Sequence, residues 1–195
     1  ITNKSTTNQD YQGFHIEGSS KSKKYLKKNI KDSDFVTIEW LDLMPKENID
    51  ALMSPPDYVS EVEEGIFEEE LSSILKNLPQ SVQDDYQRAL TSTDVIAEMN
   101  NKAIRIPGFI VPIQFDGRKK INQFFLVPYF GACIHLPPPP PNQIIFVTYE
   151  KSFEVKDLLD PYWISGTIKT ISAENDIALA AYSMEMEDYE IYSEN

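Results

Sequence analysis

Cysteine is nearly missing from this chain of 195 residues, with Cys133 the only one. A lone cysteine excludes an intramolecular disulfide, so cysteine usage does not report a redox compartment. Histidine is almost as scarce, at His15 and His135, and no second cysteine or HxxxH spacing completes a zinc tetrad. No run of eighteen apolar residues occurs, which excludes a helical membrane span within the sequence. Basic residues are few, 18 against 31 acidic, for a net charge of −13. Seven of those 18 lie within residues 1–31 (Lys4, Lys21, Lys23, Lys24, Lys27, Lys28, Lys31), and the remainder of the chain carries 11 basic and 29 acidic residues, a net of −18. So acidic a body repels phosphate backbones, which nucleic-acid-binding proteins must neutralise, and nucleic acid is not an expected partner. Metal ions and basic protein surfaces suit the charge better. No complete catalytic signature is present.

What remains divides into four parts. Residues 1–33 are a polar linker without helical or strand periodicity, too poor in apolar side chains to order itself. A start at Ile1 followed by such a segment is the pattern expected downstream of a removed signal peptide or a lipid anchor. Its lysine cluster, Lys21 to Lys31, suits either a solvated linker or contact with anionic head groups. Residues 34–102 read as a strand and helical segment packed on the domain that follows. Phe35 to Trp40 is short and β-branched, Lys46 to Met53 makes about two helical turns before Ser54-Pro55-Pro56 stops them, and Glu61 to Asn77 carries one apolar helical face. Ser81, three positions before Asp84, is expected to cap a further helix through Leu90.

From residue 103 to 186 the pattern is extended throughout. Five segments, Ala103 to Phe115, Ile121 to Tyr129, Gln143 to Tyr149, Tyr162 to Thr170 and Ile177 to Met186, are separated by turn chemistry, with Asp116-Gly117 a hairpin signal. Pro107-Gly108 and Pro112 in the first require a bent, bulged or edge strand. The expected fold is therefore mainly β with N-terminal helices, a five-stranded, partly open barrel of the OB type, with a β-sandwich as the alternative. Residues 187–195 are an acidic tail in this reading.

The richest stretch is Gly131 to Gln143. In a strand, Cys133 and His135 share a face about 7 Å apart at their Cα atoms. Thiolate and imidazole together suit zinc, with further ligands drawn from elsewhere. The same pair suits a nucleophile and its base in a thiol-dependent enzyme, or simply a small buried hydrophobe beside a strand-end histidine. Pro137 to Pro141 hold a polyproline II rod of roughly 15 Å. It serves as a stiff surface crossover, as bait for an aromatic groove on a partner, or as a strut that fixes Asn142 and Gln143 at a binding rim. Tyr129, Phe130, Tyr162 and Trp163 flank the loops as an aromatic platform or as packing. Met184 and Met186 share a strand face, which suits core packing or copper.

The runs Ile104-Arg-Ile-Pro-Gly-Phe-Ile-Val-Pro112, Phe125-Leu-Val-Pro-Tyr-Phe-Gly-Ala-Cys-Ile-His135 with Pro137 to Gln143, and Tyr162-Trp-Ile-Ser-Gly166 resemble the blocks of an uncharacterised bacterial family known as a domain of unknown function and often carried on periplasmic lipoproteins. The resemblance covers Phe35 to Met186. It implies an OB-like barrel in a Gram-negative envelope and an accessory role beside ATP-binding-cassette export or metal-uptake systems. It implies no reaction and no catalytic residue. The lipid-bearing cysteine is not in this sequence, so any membrane attachment would run through an anchor outside it. The sequence thus leads to a non-enzymatic periplasmic binding or accessory protein, with an envelope protein or transporter component as partner and zinc at Cys133 and His135 if an ion is bound.

Overall fold

The computed structural model describes residues 34–56, 84–113, 120–132 and 138–192. Its centre is a ring of five strands: β2 (Lys102–Pro112), β3 (Lys120–Val127), β4 (Ile145–Glu154), β5 (Tyr162–Lys169) and β8 (Tyr182–Ile191). β2 pairs antiparallel with β3 on one side and with β5 on the other, β3 pairs with β4, and β8 joins β4 to β5. The order β2-β3-β4-β8-β5-β2 is closed, with β4 and β8 the parallel pair. This is an OB-like barrel, and the closed ring excludes the sandwich.

One strand has two partners because β2 is long and bends. Residues 102–108 pair with β5 and residues 109–112 with β3. Gly108 sits at the changeover, where an added Cβ would lie 2.8 Å from the Val127 carbonyl oxygen. The prolines that marked this strand as irregular therefore flank its change of neighbour. Across the barrel, β5 and β8 shift register between Ser165 and Gly166, and a Cβ on Gly166 would come within 2.3 Å of the Glu185 carbonyl oxygen.

Burial follows the period of two. Ile104, Ile106 and Ile110 of β2 point inward with Phe124, Leu126, Ile145, Val147, Ile164, Ile168, Tyr182, Met184 and Met186. Met184 and Met186 thus belong to the core. A second apolar cluster lies on the outer face of β2, β3 and β4, built from Phe125, Val127 and Phe146 with Phe109 and Val111. It is covered by Ala132 of one loop and by Ala173, Ala178 and Ala180 of another.

The strap before the barrel opens with β1 (Val36–Thr37), which pairs parallel with β2, and continues through a 3-10 turn at Trp40–Leu43 to α1 (Lys46–Leu52). The helix α2 (Asp85–Leu90) is capped by Asp84, whose carboxylate accepts from the Gln87 amide at 2.9 Å. Asp84 replaces Ser81 as the cap, because its extended backbone sets its oxygen against the first turn. The expected helix over Glu61 to Asn77 and the Asp116-Gly117 turn lie outside the described residues. No described helix is long and apolar enough to cross a membrane.

The end of the chain departs from the sequence reading. β8 continues to Ile191, so Glu187 to Ile191 are sheet rather than acidic tail, with Met186 inward and Glu185 and Glu187 outward. The fifth segment also starts later than Ile177. Asn175 Oδ1 accepts from the amides of Ile177 and Ala178, and this Asx turn folds residues 173–180 into a separate hairpin of β6 (Ala173–Glu174) and β7 (Leu179–Ala180).

Candidate functional site

The loop between β3 and β4 contains most of the residues that carried chemistry in the sequence. It leaves β3 at Pro128, exposes Tyr129 (42%) and Phe130 (49%), and turns at Gly131, whose φ of 76° is the left-handed conformation that glycine tolerates. Ala132 is fully buried. Cys133 and His135 lie outside the described residues. The chain is again described from Pro138, which is exposed, while Pro139 and Pro140 are buried. The proline run is therefore an inserted strut over that part, rather than a surface crossover. Pro140 keeps polyproline II geometry (φ −58°, ψ 152°) and leads into a 3-10 turn over Pro141–Gln143.

Asn142 and Gln143 close the loop as anchors, not as a rim open to ligand. Asn142 is completely buried. Its Nδ2 donates to the Asp94 carbonyl at 3.1 Å and its amide to the Ser92 carbonyl at 3.3 Å. Its Oδ1 is buried with no hydrogen-bond partner among the described residues. Gln143 Nε2 donates to the carbonyls of Trp40 at 2.8 Å and of Asn142 at 3.1 Å. Beside them Tyr182 donates its hydroxyl to the Leu43 carbonyl at 2.9 Å and accepts from the Ile96 amide at 2.6 Å. Burial raises the Tyr182 pKa against the opposing effect of the Ile96 hydrogen bond. These three side chains satisfy backbone groups of the strap and of the segment before β2, and so tie both to the barrel.

The aromatic residues expected to form one platform are separated. Tyr162 is 2% exposed and belongs to the core, with its hydroxyl donating to the Asp157 carbonyl at 3.3 Å. Its place inside follows from strand alternation, since it shares the inward face of β5 with Ile164 and Ile168. Trp163 points outward, stacked under the Arg105 guanidinium at 4.5 Å and tilted against Tyr192 at 5.3 Å. Arg105 also pairs with Glu190. Tyr129 and Phe130 remain as exposed members, and the partner that the sequence did not supply is Phe109, whose ring meets Phe130 edge-on at 6.1 Å.

Two loops converge on this end of the barrel. The 3-10 turn of the β3–β4 loop accepts the Ala181 amide on the Pro141 carbonyl at 2.8 Å, and the alanines of the β6–β7 hairpin share the outer cluster with Ala132 and Phe109. On the same two loops Tyr129, Phe130, Ile171 (54%) and Ile177 (46%) are exposed, Ile171 two residues before Ala173 and Ile177 next to Ala178 of that cluster. Ile177 escaped notice because it was expected to open a strand, where one face in two is buried, and Ile171 because it fell between two expected strands, in a stretch that carried no motif. Among the described residues, no group of three or more His, Cys, Asp or Glu is arranged to hold a metal ion.

Fold and site together define a small OB-like barrel with an apolar rim at one end. A family model described as a protein of unknown function, DUF3299, matches residues 40–191, and the chain belongs to that family. Among solved structures, the crystal structure of a DUF3299 family protein from Pseudomonas aeruginosa PAO1 is similar, with 28% sequence identity and a TM-score of 0.60 over 83% of this chain and 98% of that one. No curated protein matches the chain.

Proposed function

We propose that this protein is a non-enzymatic binding or accessory domain of the bacterial envelope, which engages a partner protein such as a transporter component through the rim formed by the β3–β4 and β5–β8 loops. The observation that carries the reading is the contrast within one loop: Tyr129 and Phe130 are exposed, while Asn142 and Gln143 at its other end are buried and hydrogen-bonded to the strap. Large apolar side chains presented on a fixed support are the anatomy of an interaction site. The envelope location is supported by the likeness of the sequence blocks to those of periplasmic lipoproteins, and membrane attachment would come through a lipid anchor. Zinc belongs to the proposal as a ligand of Cys133 and His135, supported by the affinity of thiolate and imidazole for that ion.

The test is site-specific cross-linking in the native host. A photoreactive phenylalanine analogue at position 130 is expected to give a discrete adduct with one envelope protein, identified by mass spectrometry. The same analogue at Leu41, exposed on the strap, is expected to give none. An absence of adducts from position 130, or the same adducts from both positions, would overturn the reading.

A further inference from the structure

Resting on the reading of the rim as a binding surface, we infer that its occupant is a protein segment in which apolar side chains are flanked by lysine or arginine. The apolar half of this inference comes from Phe130, Ile171 and Ile177, exposed on the loops whose alanines cover a cluster of buried Phe125 and Phe146 with the partly buried Phe109 packed against it. A side chain docked there extends an existing core, and the apolar surface it buries favours the complex against the costs of association. Phe109 presents an aromatic wall to Phe130, so the rim offers both edge and face to an incoming ring.

The basic half comes from charge. Residues 128–132, 138–144 and 170–181 contain Glu174 and Asp176 and no lysine or arginine. Glu174 and Asp176 are exposed on the β6–β7 hairpin, within three residues of Ile171 and adjoining Ile177 respectively. Lys169, just before the second loop, is paired with Glu185, and the exposed charges that the two loops themselves carry, Glu174 and Asp176, attract positively charged flanks and steer their approach. The same charges argue against the other occupants. A second copy of this chain would bring its own Glu174 and Asp176 to a symmetric contact, and like charges would face each other. An anionic lipid surface needs basic residues that these loops do not have.

The probe is a fluorescent twelve-residue peptide of alternating leucine and lysine, with a leucine and glutamate counterpart as competitor, read by anisotropy against the full chain. The leucine–lysine peptide is expected to bind, more weakly as salt rises. Phe130→Ser and Ile177→Ser are each expected to weaken it at least about tenfold, a loss of about 1.4 kcal/mol, while Leu41→Ser leaves it unchanged. Glu174→Lys combined with Asp176→Lys is expected to weaken it similarly, and the glutamate peptide is expected not to compete. Thermal melts establish that each variant is folded, and the two rim substitutions stand in for one another should either fail. The inference is overturned if both rim variants bind like the parent, if the glutamate peptide competes equally, or if phosphatidylglycerol vesicles bind and the lysine peptide does not. It is also overturned if sedimentation shows self-association through the rim instead. Envelope adducts at position 130 without binding of the lysine peptide would retain the rim as a binding site and reject its partner chemistry. An absence of both would reject the two together.

Discussion

Gln143 Nε2 donates to the carbonyl oxygen of Trp40, 103 residues earlier in the chain, at 2.8 Å. The indole of Trp40 in turn donates to the Pro107 carbonyl at 2.7 Å, so the loop after β3, the strap and the bend of β2 are joined through two side chains. Gln143→Ala is expected to leave the Trp40 carbonyl short of a partner and to destabilise the fold by about 1–3 kcal/mol. Urea denaturation measures the loss, and a change below a few tenths would show that the strap is held by packing alone.

Gly166 offers a sharper test of the barrel's closure. A methyl group there meets backbone rather than a yielding side chain, at 2.3 Å from the Glu185 carbonyl oxygen. Gly166→Ala is expected to cost about 3 kcal/mol or more, because β5 and β8 must separate to admit it. Equal melting temperatures for variant and parent would contradict the register shift between Ser165 and Gly166.

Tyr182 predicts a pH dependence. Its pKa is raised above 10.0, with burial the largest cause. Ionisation is therefore less favourable in the folded chain than in the unfolded one. The stabilisation is fully present below the unfolded value and is lost as pH rises through the folded one. Stability is expected to fall above about pH 10, and Tyr182→Phe is expected to be less stable at neutral pH, yet to decline less steeply in alkali. Parallel alkaline profiles for the two proteins would locate the titration elsewhere, with Tyr149, raised by burial and then by Asp188, and Tyr189, raised by burial and then by Tyr149 and Asp188, as the next residues to replace.

The zinc proposal makes an independent prediction. Cys133→Ala and His135→Ala are each expected to lower zinc affinity at least about tenfold, by removing one of a small number of donors, while circular dichroism remains that of the parent. Isothermal titration provides the measurement, and unchanged affinity in both variants would dispose of the site.

The barrel was legible in the sequence because its determinants are local. Alternation in Ile104, Ile106 and Ile110, the irregularity at Pro107-Gly108 and the strand-sized segments before and after it are written within a few residues of one another. Where the reading failed, the deciding partner was distant. Asn142 and Gln143 have the amides of ligand-binding residues, and only Ser92, Asp94 and Trp40, brought beside them by the fold, make them anchors. Tyr162 looked like a rim aromatic because it borders a loop, yet its parity with Ile164 turns it inward. The acidic run after Met186 read as solvated for want of its neighbour β5, against which Asp188, Tyr189, Glu190 and Ile191 are paired.

Among the described residues, β8 is the last strand in chain order and the one that borders both β4 and β5. Until residue 191 has left the ribosome, two neighbouring strands hold open edges, and no partial barrel closes in its place. Loss of the final ten residues of the sheet would therefore unzip two seams at once rather than shorten the protein. Closure of the barrel is bound to synthesis of β8, and a translation product interrupted before it would present unpaired strands of the kind that chaperones and proteases recognise.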